Sequence, residues 1–382
     1  MISKKTRNNL LVILLVLVFL IIYFFWVKKD MSDFAVCYQG GQRIMDGEIL
    51  YRTADGHMQY KYSPVSAVFF SFFTLFPYET AKFLWYLLEL ILLFFVLSFS
   101  YDLLPSKQKP KGTVILFSFL ILLKFSAREI ELGQVNIFII FLFVVLLQAV
   151  LKKNEIVGGL FWGFSLFFKP YGLVFFPYFI LKKRMKLIAA GSITVILGFL
   201  SPVLFYGFKG SREVLKEWLQ TLSISTPGLL DTYDNSSLLA FFLKITPPGK
   251  AELALIFTAA VLLVVGVVFL WMMLKARKAE VRDPEVLEFS FLLILIPLFS
   301  PLGWYYNYLY SFLAVILLLS LLGRFPRVLR YILIADFVII GASLREVLGK
   351  EVFRFYTHYS LVAMNHLIIL FCLFYSRLKR FT

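Results

Sequence analysis

The chain has 382 residues, of which 60% are hydrophobic and only 16% are charged. A water-soluble protein of this length needs a far more polar surface, so the composition excludes a soluble enzyme and predicts an integral membrane protein. The formal net charge of +16 then serves to orient the chain in the bilayer and does not indicate a nucleic-acid partner.

The first predicted element is an apolar run that follows a basic N-terminus. It is too long for a signal peptide and lacks a small-residue cleavage site, so we interpret it as an uncleaved first span. Further apolar runs between charged loops predict an all-α, polytopic protein with about 12 transmembrane helices. The predicted spans cover residues 10–27, 82–100, 113–127, 134–151, 156–168, 171–181, 187–206, 251–274, 286–299, 308–322, 331–345 and 360–377.

The distribution of basic residues predicts the orientation of these spans. Most of the 39 Lys and Arg residues lie at the two termini and in alternate loops, whereas the charges on the opposite side nearly balance. Both termini are therefore predicted to be cytoplasmic. The outer side carries two long loops, 28–81 and 207–250, and the whole chain, 1–382, is predicted to form a single transmembrane domain.

Two stretches interrupt the pattern of spans. Residues 62–77 are apolar but short, and counting them as a span would place a basic loop outside, so we predict juxtamembrane or re-entrant helices there. Residues 156–168 and 171–181 form legs that hardly cross about 30 Å of hydrocarbon. Lys169, at their turn, is predicted within or just at the membrane edge, where a charge is tolerated if it lines a cavity.

Asp33 is the first unusual polar residue, because it follows directly after the first span. Ser32 is a good N-cap residue, and the pattern predicts a helix that ends at Gly47 and has Asp33 in its first turn. The helix dipole favours the ionised carboxylate, whereas nearby lipid and protein favour the neutral acid. A carboxyl group balanced in this way is a candidate general base, and a solvated acid at a helix start is the alternative.

Other polar groups are predicted at the same outer depth as Asp33. Buried amides need hydrogen-bond partners, which sugar hydroxyls or neighbouring helices can supply. A lysine at this depth needs an anion, which is a protein carboxylate, a lipid headgroup or a substrate phosphate. The alternative interpretation of the Trp and Tyr residues is that they belong to the aromatic belt at the membrane surface and bind no ligand. Together the groups predict a site for an amphiphilic substrate with sugar and phosphate. The polar and aromatic residues of this predicted site lie in "SAREIELGQVNIF" (Arg128, Gln134, Asn136), at Lys169, in "LLDTYDNSSLLAFF" (Asn235) and in "FSPLGWYYNYLY" (Trp304, Tyr305, Asn307).

Six motifs, taken in order, resemble a known family. They are similar to segments of the polyprenol-phosphate-mannose-dependent mannosyltransferases of glycosyltransferase family 87, which have the GT-C fold. Relatives often carry a His just after the Trp of the last motif, where this chain has Tyr305, Tyr306 and Asn307. A different sugar or acceptor is therefore compatible with the resemblance. The motifs are "SDFAVCYQGGQRIMDGEILY", "YKYSPVSAVFF", "ELGQVNIF", "GFSLFFKPYGLVFFPYFILKKR", "DNSSLLAF" and "SPLGWYYNYL".

The resemblance implies an enzyme that moves a hexose, with mannose as the family's sugar, from a polyprenyl-phosphate donor to a lipid-linked or glycan acceptor. Asp33 matches the acid that deprotonates the acceptor hydroxyl, and direct displacement with one base implies inversion. The active site would face the periplasmic or extracellular side of the cell membrane. Lys169 and Arg128 are the expected ligands of the donor phosphate. The expected sugar or acceptor contacts are Gln134, Asn136, Tyr62, Asn235, Trp304, Tyr305 and Asn307.

Some alternatives stay open at this point. A prenyl phosphate is a good leaving group, so no metal or cofactor is required, but the acid cluster of Asp231 and Asp234 leaves a metal possible. A flippase or other transporter of lipid-linked glycans would use Glu89 and Asp336 as midplane relays. A non-catalytic membrane scaffold is the third interpretation.

Overall fold

The structure, a computed structural model, describes residues 17–247, 249–278 and 282–381. It is 81% helical, and the described residues form no β-strand. The predicted all-α class is therefore confirmed. Of the predicted first span, 10–27, only residues 17–27 fall within the described part, and residues 17–25 are helical.

We number the α-helices in chain order and refer to the 3-10 helices by their residues. The α-helices are α1 (17–25), α2 (Ser32–Met45), α3 (Pro64–Ser71), α4 (Tyr78–Asp102), α5 (Lys111–Leu132), α6 (Asn136–Leu151), α7 (Glu155–Ser165), α8 (Phe175–Leu181), α9 (Met185–Leu200), α10 (Val203–Ser225), α11 (Leu238–Ile245), α12 (Ala251–Lys278), α13 (Pro284–Phe299), α14 (Phe312–Leu321), α15 (Arg327–Ala342), α16 (Arg345–His358) and α17 (Leu361–Leu378). The 3-10 helices are Val27–Lys29, Thr53–Met58, Phe72–Leu75, Pro170–Val174, Pro227–Leu229, Tyr305–Ser311 and Leu322–Arg324.

Several helices are long and apolar enough to cross a membrane. By length and composition the described residues contain 4 such spans, or up to 6 if each of two bent helix pairs counts as one. The bent pairs are α5 with α6, at 119°, and α9 with α10, at 95°. The chain is thus a helical membrane protein, while about 12 spans and cytoplasmic termini remain predictions. The 4 spans are Tyr78–Asp102, Ala251–Lys275, Tyr305–Arg324 and Leu361–Leu378.

Burial differs sharply between these spans. The Tyr305–Arg324 segment is 89% buried inside the protein, and α4, α5, α13 and α17 pack around it. The apolar span of α12 is only 11% buried, so most of its Leu and Val side chains face outward, as expected of a helix in contact with lipid. Most polar side chains of the Tyr305–Arg324 segment therefore lie inside the protein and not against lipid.

Helices α7 and α9 pack unusually closely through glycine. A Cβ on Gly163 would lie 2.5 Å from the Gly191 carbonyl oxygen, and a Cβ on Gly159 would lie 2.4 Å from that of Leu187. Gly159 and Gly163 have the GxxxG spacing that lets membrane helices approach each other without side chains between them. This contact fixes the short α7, which ends just before the Lys169 turn.

Candidate active site

The site is built around the turn between α5 and α6. Helix α5 ends at Leu132, and Gly133 follows in the left-handed conformation, with φ at 66°. The Gln134 N–H donates to the Glu129 carbonyl at 3.0 Å, which closes the helix end in a Schellman-type turn. A Cβ on Gly133 would lie 2.7 Å from Cβ of Phe34. The glycine is therefore required by the backbone conformation and by the close approach of α2.

The start of α2 differs from the prediction at one residue. The N-cap is Met31 instead of Ser32, in the left-handed conformation at φ 52°, and its N–H donates to the Glu131 carbonyl at 2.8 Å. The prediction for Ser32 was wrong because a tertiary hydrogen bond, and not a local side-chain cap, fixes this helix start. Asp33 lies in the first turn as predicted, and Gly47 follows the helix end at φ 66°.

A hydrogen-bonded chain links Asp33 to residues from three other segments. Gln134 Nε2 donates to Asp33 Oδ2 at 2.6 Å. Gln134 Oε1 accepts from Lys169 Nζ at 2.9 Å and from the Tyr62 hydroxyl at 3.3 Å. Lys169 Nζ also donates to Asn136 Oδ1 at 3.1 Å. This chain of hydrogen bonds brings together five of the predicted site residues, and Asn307 joins it through Asn136.

The network continues into the protein through Asn136. Its Nδ2 donates to Glu129 Oε1 at 2.6 Å and to Asn307 Oδ1 at 3.1 Å. The Tyr310 hydroxyl donates to Asn136 Oδ1 at 3.2 Å. Both polar ends of the Asn136 side chain are therefore occupied by protein partners. Glu129 and Tyr310, which were not predicted as site residues, complete this inner layer.

The electrostatic environment of Asp33 keeps its carboxyl group more basic than usual. Burial raises the pKa of Asp33, while the Lys169 charge and the Gln134 hydrogen bond oppose the rise. Among the described residues only Oδ2 of Asp33 accepts a hydrogen bond, so Oδ1 is left for a ligand. A neutral amide holds the carboxylate in place without pairing it with a cation, which suits a group that must accept a proton.

Asp33 opens into a cavity of about 850 Å³. Of the predicted residues, Arg128, Trp304 and Tyr305 also line this cavity. The remaining predicted residues do not line it and lie in the polar network or in the neighbouring loops. They are Lys169, Gln134, Asn136, Tyr62, Asn235 and Asn307.

Asn235 braces the loop that carries Trp304. Its Nδ2 donates to the Pro301 carbonyl at 2.8 Å, and its Oδ1 accepts from the N–H groups of Gly303 at 3.0 Å and Ser237 at 3.1 Å. An isolated antiparallel bridge joins Asn235 to Trp304 directly. The side chain of Asn235 is thus engaged by backbone groups, and its predicted contact with sugar or acceptor stays a prediction.

Several cavity residues escaped the sequence analysis, foremost Lys124. It shares the cavity with Arg128 and Glu131, because positions i, i+4 and i+7 lie on one face of α5. Arg128 is paired there with Glu131 at 2.7 Å and with Asp30 at 3.6 Å. The helical spacing was the available signal. Ser343, Arg345 and Tyr356 also line the cavity and come from a region with no recognised motif.

The described residues contain no group of three or more His, Cys, Asp or Glu side chains arranged to hold a metal ion. Of the two acids considered for such a role, Asp234 lines the cavity and Asp231 does not. The polar groups that the cavity offers are instead single carboxylates, cations and aromatic hydroxyls. Such a set fits a substrate that carries both hydroxyl groups and negative charge.

Comparison with protein families decides the class. The family model described as glycosyltransferase family 87 matches residues 60–301, which is more than half of the chain. The chain belongs to glycosyltransferase family 87. The family 87 assignment makes it a membrane glycosyltransferase and confirms the family suggested by the motifs. Comparison with curated proteins and with solved structures gave no match.

The matched range of the family 87 chain contains most of the network but not all of the site. Tyr62, Gln134 and Lys169 lie within residues 60–301, whereas Asp33 and Trp304 lie outside. The geometry of the folded chain joins the two sets, since Gln134 donates directly to Asp33. The family match therefore does not cover Asp33 or Trp304.

Proposed function

We propose that this family 87 glycosyltransferase moves a hexose, with mannose as the first candidate, from a polyprenyl-phosphate donor to a lipid-linked or glycan acceptor. The observation that carries the proposal is the setting of Asp33. One oxygen of its carboxylate is held by Gln134 at 2.6 Å, the other accepts no hydrogen bond from a described residue, and Asp33 lines a cavity of about 850 Å³. A fixed, unpaired carboxylate beside a cavity is the arrangement that a general base requires.

The proposed reaction is a direct displacement. Asp33 accepts the proton of the acceptor hydroxyl while that oxygen attacks the anomeric carbon. The bond between the anomeric carbon and the phosphate oxygen breaks, and the phosphate leaves with the electron pair. A single displacement of this kind inverts the anomeric configuration, in contrast to the two-step route through a covalent intermediate.

Cations and aromatic groups supply the remaining functions. Arg128, which lines the cavity, is proposed to bind the donor phosphate, because charge develops on that group as it leaves. Lys169, assigned to the same phosphate from the sequence, donates to Gln134 and Asn136, and we propose that it orients Gln134 against Asp33. Trp304 and Tyr305 are proposed to contact the sugar or the acceptor, since their rings line the same cavity.

The outer face of the membrane is the proposed side of action. Helix α5 has 22 residues, begins at Lys111 after a loop that contains Lys107 and Lys109, and reaches the site at its other end. A helix of this length rises about 33 Å, which is close to the thickness of the hydrocarbon core. If the basic loop is cytoplasmic by the positive-inside rule, the site opens on the opposite side.

The experiment that tests the proposal compares donor classes with purified protein in neutral detergent. We expect transfer of radiolabelled mannose from polyprenyl-phosphate mannose and none from GDP-mannose. NMR analysis of the product is expected to show the inverted anomer. Transfer from the nucleotide sugar alone, or retention of configuration, would overturn the proposal. Because detergent solution has no membrane gradient, transport does not produce the same signal.

A further inference from the structure

Lys124 lies on the cavity-facing side of α5, one turn away from Arg128. The two residues are four apart in one helix, so their Cα atoms are separated by about 6 Å along its axis. The C-terminal end of α5 lies next to Asp33, because Gly133 at that end contacts α2. Arg128 is therefore closer to Asp33 along α5 than Lys124 is. Lys124 therefore lines the cavity about one helical turn further from the Asp33 end of α5 than Arg128 does.

The side chain of Lys124 is only 9% exposed. Its Nζ donates to the Ser343 hydroxyl and lies 4.7 Å from the centre of the Phe125 ring and 5.3 Å from that of Tyr356. Within the described part of the chain, no carboxylate lies within ion-pair distance of Lys124. One neutral hydroxyl and two rings leave most of the charge of a buried ammonium group uncompensated, and such a charge is costly unless an anion joins it.

The other cations of the site differ from Lys124 in their partners. Arg128 is already paired with Glu131 and Asp30, and Lys169 bonds to two amide oxygens of the network that holds Asp33. Lys124 thus combines three properties: it is buried, it lines the cavity, and no described carboxylate pairs with it.

We propose that Lys124, together with Arg128, binds the phosphate group of the lipid-linked donor, in a subsite whose wall includes Ser343 and Tyr356. This inference rests on the proposed function for the chemical class of the ligand, a prenyl phosphate ester. Lys124 acts there as a fixed charge and hydrogen-bond donor to a phosphate oxygen, and no proton is transferred to or from it. A phosphate at this depth leaves the Asp33 end of the cavity to the acceptor hydroxyl.

The test measures binding of farnesyl phosphate and of farnesol to the purified full-length chain in neutral detergent, by quenching of tryptophan fluorescence. The wild-type protein is expected to prefer the phosphate. Lys124→Met removes the charge and keeps an apolar side chain of similar length. We expect it to weaken farnesyl phosphate binding roughly 10- to 100-fold and to leave farnesol binding unchanged, as for the loss of a charge-assisted hydrogen bond.

Lys82→Met is the matched control. Lys82 is also a buried lysine, 5% exposed, and does not line the cavity. Its Nζ donates to the neutral Lys28 carbonyl oxygen and lies 5.2 Å from the centre of the Tyr78 ring. We expect this variant to bind farnesyl phosphate like the wild type. Wild-type affinity in Lys124→Met, or an equal loss in Lys82→Met, would overturn the proposal.

A second measurement does not depend on how the variants fold. Reductive methylation of the wild-type protein, read out by mass spectrometry, is expected to modify Lys124 at least about 10-fold more slowly with saturating farnesyl phosphate than with farnesol. Equal rates would overturn the assignment. Failure of the subsite and failure of the function are distinguishable. If the protein transfers sugar but Lys124→Met binds farnesyl phosphate as the wild type does, only the subsite is contradicted. If binding of farnesyl phosphate depends on Lys124 but the wild-type protein transfers no sugar, only the proposed function is contradicted.

Discussion

At the scale of single residues, the state of Asp33 follows from what surrounds it. A carboxylate paired with arginine would be strongly acidic and a poor base, whereas Gln134 fixes Asp33 through a neutral donor. Burial raises the pKa of Asp33, and the positive charge of Lys169 limits the rise. The carboxyl group of Asp33 is therefore more basic than that of an exposed aspartate.

This balance predicts a pH effect for Lys169→Met. The general base works only when ionised, so kcat/KM is expected to rise with pH through the pKa of Asp33. Removal of the Lys169 charge removes an influence that lowers this pKa, and the acidic limb of the profile is expected to move to higher pH. The measurement is kcat/KM for sugar transfer as a function of pH.

Lys61→Met is the control for that profile, because Lys61 is not among the charges that shift the pKa of Asp33. Its acidic limb is expected to match that of the wild type. An acidic limb that stays in place in Lys169→Met, or that moves to lower pH, would show that Lys169 does not act on Asp33.

At the scale of elements, Gly133 joins two helices at the site. It ends α5 in the left-handed conformation and lies against Phe34 in the first turn of α2. The sequence permits the first of these conclusions, since glycine is a common residue at a helix end. It does not permit the second, and the same kind of long-range contact explains why Ser32 is not the N-cap. The glycine spacing of α7 is also visible in the sequence, but the sequence does not show which helix packs against it.

Gly133→Ala tests how this junction holds Asp33, the proposed base. A left-handed alanine costs about 1–2 kcal/mol, and its Cβ would also push α2 away. We expect lower stability and a loss of sugar transfer of roughly 10-fold or more, because a small displacement of a catalytic group has a large effect on rate. Thermal unfolding and initial rates of transfer measure the two effects.

Gly47→Ala separates the two contributions. Gly47 has the same φ of 66°, but a Cβ there would meet nothing within 4 Å. It is expected to lower stability by the backbone cost alone and to keep near-wild-type transfer. Equal activity losses in the two variants would contradict a positioning role for Gly133.

At the scale of the whole molecule, composition and charge predicted the class of protein and motif order predicted the family, but neither predicted the cavity. Asp33, Gln134 and Lys169 could be proposed from their own motifs. Lys124 lies outside those motifs. Its helical spacing from Arg128 was the available local signal, and its partner Ser343 lies 219 residues further along the chain in a region with no recognised motif. The cavity wall from Ser343 to Val362 is therefore a result of tertiary packing.

The predicted orientation is testable with single cysteines. Both natural cysteines, Cys37 and Cys372, are buried, so background labelling is expected to be low. Asp231→Cys, in the loop predicted to be outside, should react with a membrane-impermeant thiol reagent in intact cells. Lys107→Cys, in the loop before α5, should react only after permeabilisation. The reverse pattern would invert the topology and place the cavity on the cytoplasmic side.

The central claim is that Asp33 is the base in sugar transfer, and Asp33→Asn tests it most directly. The substitution preserves shape and removes the proton acceptor, so turnover with a polyprenyl-phosphate sugar is expected to fall roughly 10²- to 10⁴-fold while thermal stability changes little. Asp46→Asn, the same change at the other end of α2, should keep wild-type turnover. Turnover by Asp33→Asn within a few-fold of the wild type would contradict the account.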